Sequence, residues 1–124
     1  MDNPGQLTPC SSAPHCVSSQ AAADSPHYIE PLSYTASADG ARQALLKAIY
    51  ASDNATVEQS GDRFIHATFK TTLGFVDDVT AVVQPQAGII DIKSSSRIGY
   101  YDFGVNRGRV ETLRERFNAL LDAG

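Results

Sequence analysis

Tryptophan is absent from this 124-residue chain, methionine occurs once and cysteine twice. Two cysteines allow at most one internal bridge. No apolar run reaches transmembrane length, and the start, MDNPGQLTPC, lacks the basic and apolar segments of a signal peptide. The chain therefore reads as cytosolic, or as a mature form whose targeting segment has been removed. Positive charge is not in excess: the net charge of −4 argues against broad nucleic-acid binding. Complete catalytic motifs are missing too. DFG at Asp102–Gly104 stands without a Gly-rich phosphate loop or an HRD loop, in a chain too short for a kinase. The serines at 18, 19 and 94 to 96 have no nucleophile-elbow context. His15, His27 and His66 form no metalloprotease pair, and no motif implies a cofactor.

What is present is a folded composition, 42% hydrophobic and 19% charged, at a length that buries one modest core. Charge is unevenly spread. Residues 1 to 82 hold four bases against nine acids, net −5. Residues 93 to 109 hold Lys93, Arg97, Arg107 and Arg109 against Asp102 alone, net +3. A small basic island in an acidic chain suits a small anion or an acidic partner patch better than a duplex.

Residues 1–35 are rich in Pro, Ser and Ala and read as an extended arm packed on the α+β domain of 36–124. In SADGARQALLKAIYAS, the spacing of Ala41, Leu45, Ala48 and Ile49 predicts a helix, with Ser37 or Asp39 as its N-cap. The period then changes to two. ATVEQSG, RFIHATFKTT, VDDVTAVVQ and IIDIKSSS read as four strands, with PQAG as a turn between the last two. Val110, Leu113, Phe117, Leu120 and Leu121 return to helical spacing. This order predicts an α+β fold: an antiparallel sheet of about four strands, with an N-terminal and a C-terminal helix packed on it.

Four segments in this order, PCSSAPHCVSSQA, HYIEPLSY, GFVDDV and SSSRIGYYDFGVNRGRVETLR, resemble the family catalogued as domain of unknown function 1499, found in bacteria and plastid-bearing organisms. The resemblance spans roughly residues 7 to 117. Ser11 and His15 stand where members often have Pro and Asn. The resemblance supports the fold and the place of a site, and implies no reaction. It points to a mature extracytoplasmic form, with a cytoplasmic chain as the alternative.

Cys10 and Cys16, with five residues between them in the arm, suit a disulfide that pins a region with little core of its own. Two other readings stay open: a zinc site completed by His15 and His27, and free or redox-active thiols. The second candidate site is the loop before the last helix. If that helix begins near Asn106, this residue is a sensible N-cap, and Arg107 and Arg109 fall in the first turn. Cations there oppose the helix dipole. Asp77, Asp78 or Asp102 can neutralise them, or an outside anion can bind among Arg97, Arg107, Arg109 and the hydroxyls of Tyr100 and Tyr101. The expected function is a non-catalytic binding or assembly domain for an anion or an acidic protein partner. The alternative is an enzyme in which these arginines hold an anionic substrate and an aspartate serves as acid or base.

Overall fold

The computed structural model describes residues 5–11, 15–72, 74–98 and 104–123. Their order is β1 (Cys16–Ser18), β2 (Leu32–Ser33), α1 (Ala38–Tyr50), β3 (Ala55–Ser60), β4 (Phe64–Lys70), β5 (Val76–Gln84), β6 (Ile89–Ser96) and α2 (Val105–Ala123). Among the described residues the sheet has six strands, all pairing antiparallel, in the order β1-β6-β5-β4-β3, with β2 also on β6. The four strands expected from alternation are the four long ones. The two additional strands come from the arm and are too short to alternate legibly. They pair end to end along β6, Cys16–Ser18 against Lys93–Ser95 and Leu32–Ser33 against Ile89–Ile90. Pairing supplies partners for backbone groups that β6 would otherwise leave open at an edge. The arm thus forms part of the sheet as well as a covering.

Alternation places Ile65, Ala67, Phe69, Val79, Ala81, Val83, Ile90 and Ile92 on one sheet face. There they meet Ala41, Leu45, Ala48 and Ile49 of α1 and Val110, Leu113 and Phe117 of α2 in one core. Ser37 caps α1, its hydroxyl accepting from the Gly40 amide at 3.0 Å. Arg116 of α2 reaches the other end of α1, donating to the Ala48 carbonyl at 3.4 Å and to the Ser52 hydroxyl at 2.7 Å. A cation there matches the negative end of the helix dipole. Arg114 ties α2 to the arm through the carbonyls of Glu30 and Pro31, at 2.6 and 2.7 Å.

The other sheet face carries no helix. The first part of the arm lies beside its Gln84 and Asp91 end: the Gly5 carbonyl accepts from Gln20 and Gln84, at 2.8 and 2.7 Å. Cys10 and Cys16 form a disulfide, with Cα atoms 5.8 Å apart. It closes a short loop, so the stabilisation from chain entropy is about 2 kcal/mol.

Candidate functional site

The pair Asp77–Asp78 sits in mid-strand, and a strand turns successive side chains to opposite faces. Asp77 therefore points toward the helices and Asp78 away from them. They do not form an acid pair facing a single ligand. Each has a different arginine.

On the helix side, Asp77 is 1% exposed and its Oδ2 stands 2.7 Å from Nη2 of Arg109. The guanidinium carbon lies 4.9 Å from the centre of the Phe69 ring, within cation–π range. Nη1 of Arg109 donates to Asn106 Oδ1 at 2.9 Å and to the Ser94 hydroxyl at 3.2 Å. The helix begins at Val105, so Asn106 lies inside the first turn and does not cap it. Its side chain turns inward and is 0% exposed. Oδ1 also accepts from Ser94 at 2.6 Å. Nδ2 donates to Ser96 Oγ at 2.9 Å and to the His15 carbonyl at 3.1 Å. This network joins α2, β5, β6 and the residue preceding β1. Gly104, with φ 79°, leads into the helix, and its carbonyl accepts from the Gly108 amide at 2.8 Å.

On the open side, Arg97 grips Asp78 with two bonds, Nε to Oδ2 at 2.9 Å and Nη2 to Oδ1 at 3.0 Å. His66 of β4, directly across one strand pair from Thr80, places Nε2 2.7 Å from Asp78 Oδ1. An ionised carboxylate only accepts, so Nε2 carries the hydrogen of this bond. The Arg97 fork, followed by the His66 bond, holds the Asp78 carboxyl below its ordinary range against the opposing effect of burial. Lys93, on the next strand, faces the same way. Burial pushes its ammonium below the ordinary lysine range, and the Asp78 charge partly restores it.

Arg107 lies on neither face. Its guanidinium is exposed, and its hydrogen bond among the described residues is to the Pro26 carbonyl at 3.0 Å. The structure thus brings Arg109, Asn106 and Asp77 together, brings Arg97 and Asp78 together elsewhere, and leaves Arg107 apart. Tyr100, Tyr101 and Asp102 lie outside the described residues. Near Arg109 a groove of about 370 Å³ runs past Asn54, Phe69, Val105 and Arg116. No group of three or more His, Cys, Asp or Glu converges among the described residues. Nor is any helix among them long and apolar enough to cross a membrane.

A protein-family model described as "Protein of unknown function (DUF1499)" matches residues 6–117. The chain belongs to the DUF1499 family. Searches of the curated proteins and of the solved structures give no match. The matched region of this DUF1499 chain contains the disulfide, both Asp–Arg pairs and Arg107. The sequence places Lys93 in the basic island and gives His66 no metal partner, but groups neither with Asp78. Each alternates outward in its own strand, but only the pairing register shows that they share a face with Asp78.

Proposed function

We propose that this DUF1499 chain is a small non-catalytic binding or assembly domain that takes an acidic protein segment where β6 ends and α2 begins. One observation carries the reading: Arg107 is an exposed cation with no carboxylate partner among the described residues, at an end of the domain that also exposes apolar side chains. Ile98 is 70% exposed, and Phe75 and Val105 are each 46% exposed. The Arg97 amide donates to the Val76 carbonyl at 3.1 Å, which keeps Phe75 and Ile98 at the same end of the sheet. Apolar side chains at the same end of the domain as an unneutralised guanidinium suit a partner that offers both a carboxylate and an apolar residue. Arg109, by contrast, is committed to Asp77.

The test is a titration of isotope-labelled protein with a peptide alternating Glu and Leu, followed by amide shifts. Changes centred on residues 97–98 and 105–108 that shrink in Arg107→Ala are expected. Shifts of the same size with inorganic phosphate would favour a small anion over a protein segment. Absence of localised shifts with either ligand would refute the reading.

A further inference from the structure

A cavity of about 210 Å³ opens between residues 6–10 and 18–27 of the arm, with Cys10, Ser25 and His27 in its wall. One half of the Cys10–Cys16 disulfide therefore faces a cavity. Cys10 is partly exposed there, whereas Cys16 is 2% exposed within β1.

His27 is fixed on the same wall. Its amide donates to the Ser25 hydroxyl at 3.1 Å, and its carbonyl accepts from the Ser18 amide at 2.8 Å. Its Nδ1 lies 2.9 Å from the carbonyl oxygen of Cys16. A carbonyl only accepts, so Nδ1 carries the hydrogen of this bond. Among the described residues Nε2 has no hydrogen-bond partner. It is the nitrogen through which this ring can take up a proton.

The bridge is not the sole tie at either of its ends. β1 pairs with β6, and the His15 carbonyl accepts from the Ser96 amide at 3.0 Å and from Asn106 at 3.1 Å. On the Cys10 side, the Leu7 amide donates to Gln20 Oε1 at 2.7 Å, and the Gly5 carbonyl accepts from Gln20 and Gln84. Opening the bridge leaves β1 in the sheet and loosens the segment before it. A cavity and an imidazole beside the reachable sulfur are what an attacking thiol needs.

We propose that this cavity is a thiol-exchange site, at which a dithiol reductant opens the Cys10–Cys16 bridge by attack on Cys10. His27 Nε2 takes the proton of the incoming thiol as that sulfur bonds to Cys10 Sγ. The Cys10–Cys16 bond breaks, and its electron pair goes to Cys16 Sγ, which takes up a proton. The second thiol of the reductant then attacks the mixed disulfide and frees Cys10 as a thiol. The reductant becomes a disulfide and gives up two electrons, which the cysteine pair gains. The same steps in reverse close the bridge. None of them involves Arg107, so this site and the peptide-binding end are tested separately.

Glutathione is the probe, because a monothiol stops at the mixed disulfide. The full oxidised chain is incubated with it, quenched with N-ethylmaleimide and mapped by tandem mass spectrometry. Glutathione should be found on Cys10 and the maleimide on Cys16. His27→Gln, shown folded by circular dichroism, should exchange severalfold more slowly near neutral pH. The difference should vanish at alkaline pH, where the reagent thiol, with an ordinary pKa of about 8.5, ionises unaided. With dithiothreitol, hydrogen exchange at the Leu7 amide should rise while the β5–β6 ladder stays protected. Glutathione on Cys16, or on both cysteines alike, overturns the choice of sulfur. A rate unchanged in His27→Gln, or slowed equally at every pH, overturns the role of the imidazole. Exchange that requires urea overturns the site.

Discussion

Two adjacent aspartates in one strand meet two arginines under opposite conditions. Asp77–Arg109 is buried beneath α2, and Asp78–Arg97 lies on the open face with Arg97 half exposed. Both are short carboxylate–guanidinium contacts, yet their energetics differ. In the interior, removing one partner strands a charge that water cannot reach. On the surface, water takes the place of the lost partner, so the pair contributes little. The buried pair is also bound into Asn106, Ser94 and the Phe69 ring, whereas the open pair is joined by a histidine. The first arrangement fixes a corner of the fold; the second holds ionisable side chains in place on an accessible face.

Arg109→Met should break the comparison most severely. Stranding Asp77 should cost about 3–5 kcal/mol in urea denaturation. Adding Asp77→Leu should return most of that loss, because both charges are then absent. If Arg109→Met costs no more than Arg97→Ala, the two pairs are equivalent and the contrast fails. Asn106→Ala comes next. It leaves the Ser94 and Ser96 hydroxyls and the His15 carbonyl without this partner, at about 1–3 kcal/mol.

Arg97→Ala should change stability little at neutral pH. Its clearer effect lies in acid. The folded Asp78 carboxyl titrates below its ordinary 3.8, so its contribution to stability is present above that pH and is lost as pH falls through the lowered value. Without Arg97 the folded value moves back toward 3.8, and this acid-dependent part of the stability shrinks. Carboxyl-carbon titration by nuclear magnetic resonance, with unfolding midpoints on either side of 3.8, checks the direction. The smallest effect on stability is expected for Arg107→Ala, within about 0.5 kcal/mol, because it touches one carbonyl at the surface.

The helices and the four long strands were legible because each buries one face, so the period of apolar residues records the structure. The arm strands were not. Cys16–Ser18 and Leu32–Ser33 are three and two residues long, and it is the open edge of β6 that selects them. At the candidate site, the unfavourable placement of Arg107 and Arg109 was visible, as was a set of aspartates to answer them. Which aspartate answers which arginine depends on side-chain parity in β5 and on the inward turn of Asn106. Asn106 reads as a cap from its residue type, yet it stands two residues past the cap position, inside the helix. Its partners Ser94, Ser96 and His15 come from β6 and the residue before β1, which no local pattern brings together.

The account separates an arginine that holds the fold from one left to a partner. The most direct test is to measure peptide affinity and urea midpoint on the same samples of wild type, Arg107→Ala and Arg109→Lys. Arg109→Lys retains the positive charge but not the fork. The account predicts that Arg107→Ala loses affinity for the Glu/Leu peptide at an unchanged midpoint, and that Arg109→Lys loses stability while its folded fraction binds as the wild type does. Affinity that follows stability in both variants, or that survives Arg107→Ala intact, would contradict it.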